Sequence, residues 1–534
     1  MVSLLSDLPL YTAERAPDAT ALRFRGSEHS YGRLADTIER TASGLVNLGM
    51  ARQDRVAVYL NKRPETVVAF FATSRAGGVF VPVNPLLKPA QVSHILEDSG
   101  AIALITSADR LRDLDDTIAG LPNLRHVVVV DDSPDARPQS KGIALTRWSD
   151  LQRGDRCSLH RVIDTDIASI LYTSGSTGRP KGVVLSHKNM VAGARSVAEY
   201  LENAPEDRLL AVLPFSFDYG FSQLSTAFLV GASVSLLDHL FARDVVTAVA
   251  KDRITGLAAV PPLWLQLADL DWPADATQHL RYITNSGGRM PRATLEKLRA
   301  ALPLTRPYLM YGLTEAFRGT YLPPEEIDRR PDSIGMAIPG AEILVVRPDG
   351  TPCAPHEPGE LVQRGSLVAQ GYWNDRERTA QRFRPAPGQL KELPLTELAV
   401  WSGDTVKKDE DGYLYFVGRR DEMIKTSGYR VSPTEVEEII YASGLVSDVV
   451  ALASAHTALG EGIVVVASPP SEVSPDDTAG SADAALLAYC RAKMPTYMVP
   501  QHIAWMPELP RNPNGKFDRP SLTQRFKNVF EGMT

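Results

Sequence analysis

Short apolar runs alternate with helical segments along the first 330 residues of the chain. The runs at 55–60, 101–106 and 126–130 are rich in valine, isoleucine and leucine, and segment 65–77 has a helical pattern. Short apolar strands separated by helices are typical of parallel sheets that are covered on both faces. The pattern therefore predicts an α/β fold in which a large N-terminal domain contains parallel sheets and helices.

The pattern changes after residue 330. Turns rich in glycine, proline and aspartate now separate alternating strands, and 348–350 is a tight-turn signal, so we expect a β-rich subdomain. The last hundred or so residues bring back helical and strand patterns, with helices at 432–443 and 483–494 and strands at 447–453 and 462–468. This part is predicted to form a small α+β domain of its own.

Size and charge limit the possible functions. A chain of 534 residues with 44% hydrophobic residues is expected to form more than one domain. Its net charge of −7 provides no general attraction to nucleic acids or anionic membranes, so neither is an expected partner. The longest uncharged stretch, 219–237, contains glycines, serines, a threonine and a glutamine, which favours a buried α/β element over a membrane span.

Cysteine use and the N-terminus indicate the compartment. Cys157, Cys353 and Cys490 are far apart and form no Cys-x-x-Cys pair, which argues against a disulfide framework or a zinc site. The N-terminus has no basic start, and Asp7 interrupts its short apolar run, so a secretory signal is not expected. We predict a cytoplasmic protein.

Residues 172–182 form a loop with three glycines, several hydroxyls and a lysine, between an apolar strand pattern and a helical pattern that begins near His187. Glycines let backbone N–H groups approach a ligand, hydroxyls donate to anionic oxygens and the lysine adds charge, so phosphate is the expected occupant. Pro180 stands where a Walker motif needs glycine, which disfavours an ordinary P-loop NTPase; a solvated turn is the alternative. The candidate phosphate-binding residues are Thr173, Ser174, Gly175, Ser176, Thr177, Gly178 and Lys181.

Four segments together resemble the successive signatures of the adenylate-forming superfamily. They are 172–187, 311–316, 401–440 and 510–519, and they occur in the expected order over nearly the whole chain. The superfamily includes acyl-CoA synthetases, the adenylation domains of peptide synthetases, and luciferases. The resemblance implies that a carboxylate attacks the α-phosphorus of ATP and that the acyl group of the acyl-adenylate then passes to a thiol. It also implies ATP and Mg²⁺ as cofactors.

The resemblance assigns roles at the phosphates and at the nucleoside. Lys181 would lie near the leaving pyrophosphate, with Thr173 and Glu315 at Mg²⁺; helix capping is the alternative for an isolated Thr-Glu pair. Asp404 would accept from both ribose hydroxyls and Arg419 would accompany it, although an aspartate in this context is often a turn residue. The other nucleotide-binding candidates are Gly287 and Gly288 beside adenine, Tyr311 stacking on the base, and Thr314.

The resemblance also divides the chain. It implies a large domain over 1–418, a hinge over 419–421 with Asp421 as the pivot, and a small mobile domain over 422–534. Lys516 of the small domain would reach the substrate carboxylate and the α-phosphate; an ordinary solvated lysine is the alternative. Lys516, Lys181 and Glu315 are thus the candidate catalytic residues.

The segment 213–224 bears on which acid is activated. Phe217 stands where many fatty and aryl acyl-CoA synthetases have a histidine, and Asp218 resembles the aspartate that binds the substrate ammonium group in peptide-synthetase adenylation domains. A carboxylate in an apolar pocket is costly unless it meets a cation, so Asp218 indicates an amino acid, with a helix cap as the alternative.

The remaining pocket candidates come from the same matching. Gly319 is expected to leave room, which favours an alkyl or aryl tail over a second carboxylate, and a surface ion pair is the alternative for Arg318. The candidate substrate-binding residues are Phe217, Asp218, Ser286, Gly312, Arg318 and Gly319.

Segments 216–220 and 312–324 look most like those of stand-alone enzymes that load β-amino acids or proline-like acids onto carrier proteins. Together with Asp218, this resemblance implies ATP-dependent activation of a small carboxylic acid, an amino acid and preferably a β-amino acid. The acceptor is expected to be the phosphopantetheine thiol of a separate carrier protein, or coenzyme A, because no carrier domain follows residue 519. A fatty or aryl acyl-CoA ligase is the main alternative. A catalytically inactive binding relative and a luciferase-like oxidative enzyme are more remote ones.

Overall fold

The computed structural model describes residues 2–131, 142–173, 180–288, 290, 292–390, 392–419, 424–431, 433–469, 481–510 and 517–531. Several predicted functional positions lie outside these ranges. They are residues 174–178 of the phosphate loop, residues 420–421 of the hinge, and Lys516.

The helices of the described residues are α1 (Asp7–Arg15), α2 (Tyr31–Asn47), α3 (Pro64–Arg75), α4 (Pro89–Ser99), α5 (Ala108–Ile118), α6 (Trp148–Leu151), α7 (His187–Tyr200), α8 (Asp218–Val230), α9 (Ala242–Lys251), α10 (Pro261–Ala268), α11 (Ala274–His279), α12 (Arg292–Ala301), α13 (Arg376–Arg382), α14 (Pro433–Tyr441), α15 (Ser481–Lys493) and α16 (Arg519–Arg525).

The strands up to residue 311 are β1 (Thr20–Phe24), β2 (Ser27–Ser30), β3 (Arg55–Tyr59), β4 (Val79–Pro82), β5 (Ala103–Thr106), β6 (His126–Val129), β7 (Ala144–Arg147), β8 (Ile167–Thr173), β9 (Lys181–Ser186), β10 (Arg208–Ala211), β11 (Ser233–Leu236), β12 (Gly256–Ala259), β13 (Tyr282–Asn285) and β14 (Arg306–Tyr311). The later strands are β15 (Thr320–Leu322), β16 (Ser333–Ala337), β17 (Ala341–Val346), β18 (Gly359–Gly365), β19 (Phe383–Pro385), β20 (Leu398–Lys408), β21 (Leu414–Arg419), β22 (Ile424–Thr426), β23 (Tyr429–Val431), β24 (Asp448–His456), β25 (Gly460–Ser468) and β26 (His502–Trp505).

The strands form three sheets. In the first, seven strands follow the order β7-β6-β5-β3-β4-β8-β9 and are parallel except for the antiparallel pair β8 and β9. The second has fourteen strands among the described residues. Its parallel part contains β10 to β14, and antiparallel pairing of β14 with β15 and of β15 with β16 joins it to the β-rich region. The predicted β-rich subdomain therefore continues a sheet of the large domain.

The core of the large domain lies between these two sheets, around α3 and α8. Both helices are apolar on most sides, and Phe70 and Phe71 of α3 pack against Phe221 and Phe228 of α8. A helix that is apolar all round must be buried. The uncharged stretch 219–237 is thus α8 followed by β11, as predicted. Within the described ranges, no helix combines the length and apolar character needed to cross a membrane.

The third sheet belongs to the C-terminal part and contains the strands from Ile424 onward, in the order β23-β22-β25-β24 with β26 beside β25. Alternate residues of β24 pack into two different hydrophobic cores, one on each face of the sheet. Val449 packs with α14 and α15 residues, whereas Val450 packs with Leu509 and Leu522. The predicted α/β class with a small α+β C-terminal domain is confirmed. The boundaries at 418 and 422 stay predictions, because residues 420–423 lie outside the described ranges.

Candidate active site

A cavity of about 2020 Å³ opens at the carboxyl ends of the strands in both large sheets. It is lined by Thr173 after β8, Ser286 after β13 and Thr314 after β14, and Gly428 and Tyr429 of the β22–β23 hairpin complete its wall. Side chains that follow parallel strands meet at one edge of a sheet, which is where α/β proteins bind ligands. The cavity therefore brings together segments that are far apart in the sequence.

The phosphate loop begins and ends at this cavity. Thr173 and Lys181 are paired across the β8–β9 hairpin, and Thr173 and Pro180 both line the cavity. The Thr173 hydroxyl is buried and has no hydrogen-bond partner within the described residues. A buried hydroxyl without a partner is costly unless a ligand satisfies it. The two flanks of the loop thus fit the predicted anion site.

Lys181, Glu315 and Tyr372 form a cluster beside these flanks. The Lys181 ammonium lies 3.2 Å from Glu315 Oε1 and donates to the Tyr372 hydroxyl at 2.8 Å, and that hydroxyl donates to Glu315 Oε1 at 2.6 Å. Burial acts to raise the pKa of Glu315, but Lys181, Arg382 and the Tyr372 hydrogen bond outweigh it and hold the pKa at about 2. Glu315 is therefore ionised at any working pH.

The residues suggested for Mg²⁺ fit the ion. Glu315 supplies an ionised carboxylate oxygen, and Thr173 supplies a hydroxyl oxygen that has no other partner among the described residues. Mg²⁺ is typically held by one or two carboxylates, with substrate phosphates and waters as its remaining ligands. The Lys181 ammonium is the partner of Glu315 in this structure, so an incoming cation would compete with it.

The candidate nucleoside residues also come together. The Tyr311 hydroxyl at the end of β14 donates to Asp404 Oδ2, and the Asp404 backbone N–H donates to the Ser402 hydroxyl at 3.0 Å. Asp404 lies inside β20 and not in a turn, and its backbone pairs with Arg419 of β21. The turn interpretation of Asp404 is therefore wrong.

Gly287 and Gly288 follow β13 and line the same cavity. Gly287 has φ +79°, a conformation that favours glycine. A Cβ on Gly288 would lie 3.1 Å from Pro261 Cγ, so a larger residue would press on α10. Both glycines line the cavity together with Tyr311, and their place beside the adenine stays a prediction.

Asp218 is the residue expected to contact the substrate ammonium group. It is the first residue of α8, directly after Phe217, and it lines the cavity with Arg318 and Thr314. Arg318 Nη1 lies 3.7 Å from Asp218 Oδ2, and the Thr314 hydroxyl donates to Asp218 Oδ1 at 3.4 Å. Burial raises the pKa of Asp218, and the Arg318 charge and these hydrogen bonds offset only part of that effect. A further cationic partner would thus stabilise the charged form of Asp218.

One alternative and one prediction about neighbouring residues are wrong. Arg318 is not a surface ion-pair partner, because only 3% of it is exposed, and its guanidinium lies 4.6 Å from the centre of the Tyr219 ring. Gly319 does not leave room in the pocket. A Cβ there would lie 3.0 Å from the Tyr311 carbonyl and 3.4 Å from Gln363, so this glycine permits close packing of backbone outside the cavity lining.

The remaining candidate substrate-binding residues line the same cavity. Ser286 is buried, and with Phe217 and Gly312 it lines the cavity. A Cβ on Gly312 would lie 3.3 Å from the Arg318 Cα, so Gly312 lets the backbone that carries Arg318 approach β14.

The small domain closes one side of the cavity through an aromatic contact. The Phe217 ring packs edge-on against Tyr429 at 4.9 Å, and Tyr429 stacks on Tyr497 at 3.6 Å. Gln91 of the large domain also donates to Glu435 of α14 at 3.3 Å. The acid pocket is thus in direct contact with the β22–β23 hairpin.

Sequence reasoning missed Tyr372, Tyr429 and Tyr497. Tyr429 lies in the segment 401–440, whereas Tyr372 lies in none of the four signature segments, and its partner Lys181 is 191 positions away. A lone tyrosine after a glycine carries no local signal of such a partner.

Comparison with known proteins places the chain in a family. Residues 11–373 match the model of the AMP-binding enzyme family, and residues 435–516 match that of the AMP-binding enzyme C-terminal domain. An L-proline–[L-prolyl-carrier protein] ligase of Pseudomonas fluorescens is 31% identical, over 98% of this chain and 100% of that protein. A second ligase of this name, from Streptomyces coelicolor, is 32% identical over 94% of this chain and 93% of that protein. A linear gramicidin synthase of Brevibacillus parabrevis is 30% identical over 95% of this chain, which spans only 6% of that protein.

Solved structures share the fold. An o-succinylbenzoate CoA synthetase (MenE) double mutant from Bacillus subtilis superposes with a TM-score of 0.82, at 24% identity, over 97% of this chain and 98% of that chain. VinN in complex with L-aspartate superposes with a TM-score of 0.65, at 29% identity, over 78% of this chain and 98% of that chain. With both family domains matched, and with a carrier-protein ligase similar over its full length, the chain belongs to the AMP-binding enzyme family of the adenylate-forming superfamily and is an AMP-forming acid–thiol ligase.

Proposed function

We propose that this ligase activates an amino acid, preferably a β-amino acid, and passes it to the phosphopantetheine thiol of a separate carrier protein. The observation that carries the proposal is the Asp218 carboxylate in the cavity wall, beside Thr314. The relatives named as L-proline–carrier-protein ligases support an amino acid substrate and a carrier-protein acceptor. The structural neighbour VinN, solved with L-aspartate, also supports an amino acid.

In the first step, a carboxylate oxygen of the acid attacks the α-phosphorus of ATP. A new P–O bond forms, the bond from the α-phosphorus to the bridging oxygen breaks, and pyrophosphate leaves with the electron pair. Lys181 and the backbone of the 174–178 loop would neutralise the leaving group, and Lys516 would act on the carboxylate and α-phosphate oxygens. Mg²⁺ held by Thr173 and Glu315 would supply further charge neutralisation at the phosphates.

In the second step, a thiolate attacks the carbonyl carbon of the acyl-adenylate. A C–S bond forms, the C–O bond to the phosphate breaks, and AMP leaves, while the thiol proton has gone to solvent. Asp404 and Tyr311 would hold the ribose and the base through both steps, with Gly287 and Gly288 beside the adenine and Arg419 near the ribose. Since Tyr311, Gly287 and Gly288 line the same cavity as Asp218, the acyl-adenylate need not move between sites.

The ammonium group of the substrate would bind Asp218. The pKa of this carboxyl is raised chiefly by burial, which means that the surrounding side chains do not fully stabilise its charged form. An ammonium ion at hydrogen-bond distance would supply the missing stabilisation. An acid of the same carbon skeleton without an ammonium group would leave this partly buried carboxylate without a cationic ligand, so it should be rejected.

The test is acid-dependent ATP–pyrophosphate exchange with matched acid pairs. We expect β-alanine to exceed propionate, and L-proline to exceed cyclopentanecarboxylate, by about 100-fold in kcat/KM, because a site built for a polar group rejects analogues that lack it. Asp218→Asn should reduce these ratios at least tenfold. The matched control Asp328→Asn changes an exposed aspartate that pairs with Arg299 and should keep them. Equal use of the acids without an ammonium group, untouched by Asp218→Asn, would overturn the proposal.

A further inference from the structure

The Tyr372 hydroxyl bridges the two charged side chains that are expected at the phosphates. It accepts a hydrogen bond from the Lys181 ammonium at 2.8 Å and donates one to Glu315 Oε1 at 2.6 Å. The ammonium also lies 4.2 Å from the centre of the Tyr372 ring, so both the hydroxyl and the ring contact it. Because a hydroxyl is a donor and an acceptor at once, it can hold a cation and an anion together.

The backbone and the ring of Tyr372 are fixed by their neighbours. The chain here runs antiparallel to β9, and the Trp373 N–H donates to the Gly182 carbonyl at 2.7 Å. The Tyr372 N–H donates to the Thr379 hydroxyl of α13 at 2.9 Å. The ring packs edge-on against Phe383, with 5.6 Å between the ring centres. The hydroxyl is therefore presented to its two partners by a rigid support.

The same backbone is tied to both partners of the hydroxyl. Lys181 is the first residue of β9, and the Ala369 N–H donates to the Glu315 carbonyl at 2.9 Å. Only 7% of Tyr372 and 2% of Glu315 are exposed. Hydrogen bonds to charged groups are strong in such a desolvated environment, so the hydroxyl has a large influence on where the carboxylate lies.

The proposed first step requires the ion pair between Lys181 and Glu315 to open. The ammonium and Glu315 Oε1 are 3.2 Å apart in this structure, whereas Lys181 is expected at the leaving pyrophosphate and Glu315 at Mg²⁺. When the pair opens, the Tyr372 hydroxyl can still donate to Glu315. A hydrogen bond of this kind keeps a metal-binding carboxylate in its orientation.

We propose that Tyr372 is a positioning residue for the adenylation step, in which its hydroxyl holds the Glu315 carboxylate in place while Lys181 turns from that carboxylate to the phosphates. This inference rests on the roles that the proposed function gives to Lys181 and Glu315, and it does not depend on which acid is activated. Loss of the hydroxyl should therefore weaken binding of the metal with ATP and leave binding of the nucleoside and the acid unchanged.

The test is Tyr372→Phe, which removes the hydroxyl and keeps the ring against Phe383. Mn²⁺ is the probe, because it shares the preference of Mg²⁺ for oxygen ligands and is visible by EPR. Without any acid present, we expect the dissociation constant of Mn²⁺–ATP to rise about 30-fold, as is typical when a group that orients a metal ligand is removed. The dissociation constant of AMP, measured by calorimetry without a metal, should be unchanged.

Kinetics give a second readout with any acid that the wild type activates. Tyr372→Phe should lower kcat of pyrophosphate exchange and raise the Mg²⁺ concentration that gives the half-maximal rate, because Glu315 is less well oriented. KM for the acid should stay the same, since the hydroxyl is expected to act at the phosphates alone.

Two further variants serve as controls. Tyr31 is also fully buried, and its hydroxyl donates to the Ala232 carbonyl at 2.6 Å. Tyr31→Phe thus removes a buried hydrogen bond elsewhere and should keep the wild-type affinity for Mn²⁺–ATP. In a Glu315→Gln background, Tyr372→Phe should cause little additional loss, because two residues that act through one interaction are not additive.

Several results would contradict the inference. Unchanged Mn²⁺–ATP affinity in Tyr372→Phe would overturn it, and so would an equal loss of AMP affinity, which indicates a merely structural role. An undiminished additional loss in the Glu315→Gln background would show that Tyr372 does not act through Glu315.

Other results separate the inference from the proposed function. If Glu315→Gln alone leaves Mn²⁺–ATP affinity unchanged, the metal role proposed for Glu315 is wrong and this inference fails with it. A preference for fatty or aryl acids would overturn amino acid activation, whereas the role of Tyr372 would stand, because the binding measurement contains no acid.

Discussion

His187 is a buried histidine that the proposed chemistry does not use. Its Nδ1 accepts the Leu5 backbone N–H at 3.1 Å, which ties the N-terminal segment to the start of α7. Burial lowers the pKa of His187 to about 4, against partial opposition from Asp166, Asp7 and Asp164. The imidazole is therefore neutral in the folded protein at neutral pH.

This pKa predicts a pH dependence of stability. Between about pH 6.5 and pH 4, the unfolded chain binds a proton at His187 that the folded chain does not bind, so stability is complete above pH 6.5 and falls as the pH falls towards 4. The loss should approach about 3 kcal/mol at pH 4. Scanning calorimetry from pH 7.5 to pH 4.5 measures it through the apparent melting temperature.

His187→Asn is the matched variant for this measurement. An asparagine can present an oxygen to the Leu5 N–H but does not titrate in this range. The wild type should lose stability more steeply than the variant as the pH falls. Parallel pH profiles of the two proteins would show that His187 is not the responsible group.

At the level of single residues, motif positions were predictable and their partners were not. Asp404 and Glu315 were predicted as ribose and metal ligands because each stands in a long, specific segment. The Arg318–Asp218 pair depends instead on the turn at Thr314–Ala316, which brings the end of β14 against α8. Such a contact is set by packing in three dimensions, and neither residue carries a local sign of it.

A glycine of helix α7 allows close packing of Phe317, the residue before Arg318, against the helix. Gly193 lies on α7, and a Cβ at this position would overlap the Phe317 ring, which precedes Arg318. Alanine favours a helix interior over glycine by about 1 kcal/mol, but overpacking a core costs about 1–3 kcal/mol. Because Phe317 must shift, the next residue, Arg318, should be displaced as well.

We therefore expect Gly193→Ala to lower the apparent melting temperature and to raise KM for the amino acid about tenfold. The KM for ATP should change much less, since the hydrogen bond between Tyr311 and Asp404 does not involve Phe317. Pyrophosphate exchange with each substrate varied in turn separates the two constants. Gly120→Ala is the control, because a Cβ there meets nothing within 4 Å. An unchanged KM for the amino acid in Gly193→Ala would show that Phe317 does not position Arg318.

At the level of elements, the apolar runs predicted the strands well. The runs at 55–60, 101–106 and 126–130 became β3, β5 and β6, and the helical pattern near His187 became α7. The joining of the β-rich region to a parallel sheet through β15 and β16 was not predictable. The hydrophobic pattern of a strand shows that it is a strand, but it does not show with which distant strand it pairs.

At the level of the whole molecule, the acid pocket and the small domain are in physical contact. Phe217 of the pocket packs on Tyr429 of the small domain, and Tyr429 stacks on Tyr497. The sequence predicted two domains around one nucleotide, but not that the residue before Asp218 would contact the C-terminal hairpin. The domain order could be predicted because its motifs are long, whereas this contact is made by single aromatic residues from three separate segments.

The central claim is that one cavity joins an amino acid to AMP before the thiol arrives. It is tested most directly with L-aspartate and β-alanine labelled with ¹⁸O in their carboxylates, turned over with ATP and a pantetheine thiol, followed by mass spectrometry of the AMP. The attacking carboxylate oxygen stays on phosphorus when the thiol attacks the carbonyl carbon, so we predict AMP carrying one ¹⁸O atom per turnover. Thioester formation with unlabelled AMP would contradict the account.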